Sequence, residues 1–182
     1  MKSDRFLVPL AALSILSVSI VADAALSKSG DATVKFHATG SAGMKFDGTT
    51  SELSVSDNGK VVRVTVALGK LDTGIALRDK HMKEKTLEVE KFPNATFAIV
   101  RGDLKFPEKG KTVDGEVSGT LNMHGVGKAT KAKYSATRAD DTYTVTASFK
   151  VDIKNHDIEQ PNYLGVKVNT EVDVDVKFQL KE

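Results

Sequence analysis

The sequence predicts an all-β fold: an eight-stranded antiparallel up-and-down barrel with a short helical insertion. Three observations carry this expectation. Apolar residues recur at every second position in rows that run from Val34 to Leu180, the period of a pleated strand with one buried face. Turn-forming residues stand between the rows: Asp57-Asn58-Gly59, Pro107-Glu108-Lys109-Gly110, His124-Gly125-Val126-Gly127 and Ala139-Asp140-Asp141-Thr142. Such residues build tight hairpins, which join neighbouring antiparallel strands. The chain has 182 residues, 40% of them hydrophobic, enough to close one domain around a core. Eight strands that each expose an apolar face can hide it in a sandwich or in a closed barrel, and closure also removes open edges. Hairpin connections at most junctions favour the up-and-down barrel.

The first 24 residues are read as an address. Lys2 and Arg5 precede an apolar run from Phe6 to Ala22, and Ala22-Asp23-Ala24 supplies a small-residue cleavage site. This is the layout of a secretory signal peptide. A membrane anchor is the competing reading, but the run is short for a span, contains Pro9 and has no basic stop-transfer cluster behind it. The expected division is therefore a signal peptide at 1–24 and a barrel domain at 25–182, with a periplasmic or secreted location.

Strands are expected at 32–39, 45–56, 60–70, 94–105, 112–124, 128–138, 142–154 and 169–181. Val34 and Phe36 open the first row, and Leu53 and Val55 mark the second. Val62, Val64, Val66 and Leu68 form the third; Ala95, Phe97 and Ile99 the fourth. Val117, Gly119, Leu121 and Met123 form the fifth, and Ala132, Tyr134 and Ala136 the sixth. Tyr143 to Ile153 and Val172 to Leu180 alternate most cleanly. Thr73 to Lys91 breaks the pattern. It is dense in helix formers, with Ile75 and Met82 as a thin apolar stripe, Asp72 or Thr73 as cap, and Phe92-Pro93 as its end. Asn155 to Lys167 reads as irregular.

Composition removes several function classes. Lys and Arg number 26 against 24 Asp and Glu, a formal net charge of +2, and the signs alternate along the chain; a nucleic-acid binder needs a concentrated basic face. With no cysteine there are no disulfides, thiolate metal sites or thiol nucleophiles. With no tryptophan and three tyrosines, the aromatic girdles of a transmembrane barrel are missing. The faces opposite the apolar rows carry charges such as Asp173, Asp175 and Lys177, which a small barrel interior would accommodate only at high cost. The apolar rows therefore belong inside. They suit a packed core and an apolar tunnel equally. Small inward residues (Ala95, Gly119, Ala132, Ala136, Ala147) favour lengthwise space, and strands of this length tilted by ~40° make a barrel roughly 25–30 Å tall.

Three ordered motifs resemble the YceI-like family. The first is Leu71-Asp72-Thr73-Gly74-Ile75, Leu77-Arg78-Asp79-Lys80-His81-Met82 and Phe92-Pro93-Asn94-Ala95-Thr96-Phe97. The second is Gly119 to Val126 with Lys128, and the third is Phe149-Lys150-Val151 with Gln160 to Val168 and the last valine-rich strand. The third motif carries Pro-Asn-Tyr-Leu-Gly where many members have a shorter arginine-containing segment. The resemblance implies an extended, lipocalin-like barrel, usually exported, and in some members a polyisoprenoid chain or isoprenoid quinone held in the interior.

On this reading the tunnel lining is expected to be Phe36, Val64, Val66, Phe97, Ile99, Leu121, Met123, Tyr134, Phe149, Val151, Tyr163 and Leu164. Arg78, Asp79 and His81 are head-group candidates. The planar Arg78 fork matches phosphate oxygens, and a structural Arg–Asp pair is the competing assignment. His124 is expected in a turn. Four scattered histidines without ligand spacing do not suggest zinc, and no nucleophile elbow or carboxylate pair suggests catalysis. The expected function is therefore an exported, non-enzymatic carrier or store for an isoprenoid-type lipid, without cofactor, metal or nucleic-acid partner. The alternative is a packed-core barrel acting as a stress-responsive or protein-interaction module.

Overall fold

The computed structural model describes residues 25–163 and 165–181. The expected signal peptide and Leu164 lie outside the described residues. The long strands are β1 (Ser27–Thr39), β2 (Lys45–Thr50), β3 (Leu53–Asp57), β4 (Val61–Ala67), β5 (Asn94–Val100), β6 (Thr112–Met123), β7 (Val126–Ala139) and β8 (Thr142–Asp152). A two-residue hairpin, β9 (Asn162–Tyr163) and β10 (Val166–Lys167), precedes the last strand, β11 (Glu171–Lys181).

Nine of these strands form one antiparallel sheet in the order β2-β1-β11-β8-β7-β6-β5-β4-β3. Its two edge strands are consecutive in the chain. The expected strand 45–56 is broken at Ser51-Glu52, so that β2 pairs with β1 while β3 pairs with β4. One bent strand thus joins both edges and wraps the sheet into a barrel. The bend arises because a strand that changes neighbours cannot stay straight in a tilted, coiled sheet. Its backbone groups are still satisfied. The Glu52 N–H donates to the Thr50 hydroxyl (3.1 Å), and the Glu52 carbonyl accepts from Ala67 N–H (3.1 Å). This split replaces the eight expected strands with nine, and β9–β10 replaces part of the segment read as irregular.

Other boundaries moved for local reasons. β1 begins at Ser27 because a bulge between Ser29 and Ala32 hides the period in the sequence; Gly30 takes the left-handed conformation there (φ 59°), which costs glycine little. β4 and β5 end early, in short 3₁₀ turns at Leu68–Lys70 and Arg101–Asp103. His124 and Gly125 both have positive φ (54° and 77°) in the two-residue turn between paired Met123 and Val126, as a primed hairpin requires.

The apolar rows face inward. In β11, Val174, Val176, Phe178 and Leu180 point to the interior, while Asp173, Asp175 and Lys177 are exposed. The segment 101–111 closes one end. Pro107 is fully buried there, and Arg101 is buried against Asp57 with its guanidinium 5.0 Å from the Phe106 ring centre. The connections between β1 and β2, β4 and β5, and β8 and β11 meet at the other end. The helical insertion lies in the second of these. It is shorter than its sequence suggests: α1 (Ala76–His81) runs into one π-helical stretch, Met82–Thr86. Neither Asp72 nor Thr73 caps it. The cap position is Ile75, without a side-chain bond, because Asp72 accepts from Gly74 N–H (2.7 Å) and Thr73 donates to Asp79. Met82, Leu87 and Val89 pack on the upper core cluster of Leu68, Leu71, Leu121 and Met123.

Candidate ligand-binding site

The barrel interior is an open cavity of about 800 Å³, within the range of roughly 300–1,000 Å³ typical of small-molecule sites. Phe36, Val64, Val66, Phe97, Ile99, Leu121, Met123, Tyr134, Phe149 and Val151 all line it. Tyr163 lies in β9, paired with Val166, and the neighbouring Pro161, Asn162 and Val166 reach the wall. Leu164 is outside the described residues. Among the described residues, the nine strands of the barrel bring no charged side chain to the wall, and their only hydroxyls there are those of Tyr134 and Tyr143. The Tyr134 hydroxyl already accepts from the Lys105 N–H at 3.0 Å.

The interior stays open because large rings lie flat against the wall. Phe36 and Gly48 are direct partners across β1 and β2, and the Phe36 ring occupies the space a Gly48 side chain would need. Tyr134 and Gly115 repeat the arrangement across β7 and β6, with ring atoms 2.9–3.1 Å from an ideal Cβ at Gly115. The Phe97 ring likewise covers Gly119, at 2.7–2.8 Å from its ideal Cβ, and stacks on Phe149 (5.9 Å between centres, 10° between planes). An aromatic ring laid over a cross-strand glycine buries its face without crossing the bore. Ala95, Ala132, Ala136 and Ala147 complete the wall with side chains too short to obstruct it.

The mouth lies under the helical insertion. Met44 and Ile75 belong to the cavity wall and are also 49% and 52% exposed, so they stand where interior meets solvent. Arg78, His81 and Lys85 line this end at helical spacing, with Glu159, Gln160 and Asn169 also contributing. Arg78 is held rigidly. Its Nε and Nη2 donate to the Thr73 hydroxyl (2.8 Å) and carbonyl (2.6 Å), and its guanidinium stacks 4.5 Å from the Phe46 ring centre. Asp79 is not part of the wall. Its Oδ1 accepts from the Thr73 N–H (2.9 Å) and hydroxyl (2.5 Å). Burial pushes the Asp79 carboxyl up, but those Thr73 bonds outweigh it and hold the group below its ordinary value. Arg78 and Asp79 thus share Thr73 instead of pairing with each other.

The remaining histidines lie off the cavity wall. His124 packs on Phe92 (4.2 Å between ring centres) with Glu88 3.8 Å away. His156 is 2% exposed, and its Nδ1 donates to the Val126 carbonyl (2.9 Å). That bond fills the gap left where β7 pairs β8 only from Lys133 to Ala139. His37 is on the outer face. Among the described residues no cluster of three potential metal ligands occurs, and no helix is long and apolar enough to cross a membrane.

Several lining residues escaped the sequence reading. Met44, Leu87, Leu104 and Phe106 lie in the irregular ends of the barrel, where period-two alternation gives no signal. Others, such as Val145, Val174 and Val176, stand in rows whose direction was legible.

Comparison with known proteins places the chain. A sequence model of the YceI-like domain matches residues 22–180, and the chain belongs to that family. Protein YceI of Salmonella arizonae is 34% identical over 84 residues, covering 46% of this chain and 41% of that protein; the match spans under half the length of this curated relative. A polyisoprenoid binding domain from Saccharophagus degradans, implicated in plant cell wall breakdown, superposes with a TM-score of 0.73 at 17% identity, covering 86% of this chain and 97% of that one. BcnA of Burkholderia cenocepacia superposes with a TM-score of 0.65 at 15% identity, covering 81% and 95%. At these identities the two structures share the barrel fold.

Proposed function

We propose that this member of the YceI-like family binds an isoprenoid-type lipid, a polyprenyl chain or an isoprenoid quinone, in its barrel, and serves as an exported carrier or store. One observation carries the reading: a cavity of about 800 Å³ runs inside a barrel whose strands place no charged side chain on its wall. Such a wall recognises an apolar chain by shape. Each buried methylene contributes up to ~0.8 kcal/mol, and ordering of the chain offsets part of that sum. Selectivity then follows length and branching more than polar contacts. The fold likeness to a polyisoprenoid binding domain supports the same ligand class, and the amino-terminal signal layout supports a periplasmic or secreted location. The mouth residues Arg78, His81 and Lys85 suit a polar or anionic head group at the rim. The role proposed is binding: the barrel strands line the interior as an apolar container.

The test is native mass spectrometry and lipid extraction of protein recovered from its own host compartment. Co-purifying prenyl lipid is the expected result. Protein that is consistently empty and takes up neither polyprenyl phosphates nor isoprenoid quinones would refute the reading.

A further inference from the structure

We infer that the rim of the cavity mouth is a docking surface for a bilayer containing anionic phospholipid. The inference rests on the lipid-binding reading. Among the described residues, five large hydrophobic side chains are exposed, and three of them, Met44, Ile75 and Leu77, belong to the segments that frame the mouth. Met44 precedes β2, while Ile75 and Leu77 begin the helical insertion; the stacking of Arg78 on Phe46 holds these two segments together. Met44 and Ile75 also belong to the cavity wall. The apolar surface of the interior therefore continues out onto the face that a lipid tail must cross.

The charge around this apolar tip is biased. Across residues 44–47 and 75–86 five basic side chains (Lys45, Arg78, Lys80, Lys83 and Lys85) stand against three acidic ones (Asp47, Asp79 and Glu84). Asp47 is engaged by His37 and Asp79 by Thr73, while Glu84 is exposed among the lysines. An apolar tip in a basic collar seats at a membrane interface by partial insertion plus attraction to anionic head groups. Docked this way, the mouth faces the acyl region, and a tail passes from bilayer to cavity without crossing water.

Flotation with vesicles of phosphatidylcholine alone, or with about a quarter phosphatidylglycerol, tests the surface directly. The wild-type protein is expected to float with the anionic vesicles, and high salt to release it. Met44→Asp and Ile75→Asp should each lower the bound fraction by about tenfold, since each removes a large apolar contact. Loading separates docking from cavity binding. Leu77→Asp and the Lys45→Glu/Lys80→Glu pair should take up a long-chain polyprenol from detergent micelles as the wild type does, yet draw it from anionic vesicles about tenfold more slowly. Wild-type protein that loads from micelles but ignores vesicles overturns the docking inference alone. So do variants that match the wild type in both vesicle assays, or a dimer formed through this face without vesicle binding. Wild-type protein that never loads from micelles refutes the lipid-binding reading instead, while flotation still judges the surface.

Discussion

Phe36 and Gly48 face each other across the β1–β2 ladder, and the Phe36 ring covers the bare backbone of Gly48. The absence of one methyl group at Gly48 therefore sets where a large ring lies, and with it the free width of the barrel. A methyl at position 48 would meet the ring and drive it toward the lumen. Gly48→Ala is expected to cost about 1–3 kcal/mol and to reduce lipid uptake. Adding Phe36→Leu should restore uptake by removing the displaced ring. Chemical denaturation and a loading assay on the single and double variants check both effects; unchanged uptake in Gly48→Ala would show that the ring position does not limit the bore.

Ala147 and Ala132 distinguish an open tunnel from a packed core. Both line the cavity. In a packed barrel, Ala147→Phe and Ala132→Leu would overpack and destabilise by about 1–3 kcal/mol. With open space in front of them, the new side chains are expected to enter the lumen with little loss of stability and to block lipid uptake. Melting curves paired with loading measurements decide between the two.

Asp57 and Arg101 hold the closed end. Their side chains are 0% and 7% exposed, and Asp57 also accepts from Leu26 N–H (3.1 Å) and Gly59 N–H (2.8 Å). One carboxylate thus ties the start of β1, the β3–β4 turn and the 101–111 segment together. Asp57→Ala removes the buried carboxylate that faces this guanidinium and accepts from two backbone N–H groups, and should cost about 3–5 kcal/mol. Urea denaturation measures this, and a loss under about 1 kcal/mol would contradict the assignment.

His37 bridges three strands on the outer face. Its Nδ1 lies 2.7 Å from Asp47 Oδ1 and its Nε2 3.1 Å from Asp175 Oδ2. Carboxylates only accept, so both contacts are satisfied when both ring nitrogens carry protons. The hydrogen bond to Asp47 is the main cause of a pKa raised above the ordinary 6.5; partial burial opposes it, and Asp175 adds to the rise. A folded pKa above the unfolded one contributes stability that is complete below about pH 6.5 and fades as the pH rises through the folded value. The site is partly exposed and screened, so the effect should stay under about 1 kcal/mol. The stability gap between wild type and His37→Gln is expected to be larger near about pH 6 than near about pH 9, and a proton NMR titration of His37 should centre above 6.5.

Much of the wall was legible because period two is a local property of the pleat. Any reader of Val172, Val174, Val176 and Phe178 can see a strand and its buried face without knowing its neighbours. The same alternation named ten wall residues, from Phe36 to Val151. It failed where the chain leaves the ladder. Arg78 and Asp79, neighbours in sequence, read as a pair, and only the fold shows both turned onto Thr73.

The sequence by itself determined an all-β chain, with apolar rows inward and charge outward, and the motifs of its family. The tertiary structure decided the rest. Closure depends on Ser51-Glu52 handing one strand from β1 to β4. The open bore depends on the register that sets Phe36 over Gly48 and Tyr134 over Gly115. Both are relations between residues on different strands, fixed only when the sheet twists and closes. Local alternation contains no record of them, because it specifies which way a side chain points but not what stands opposite.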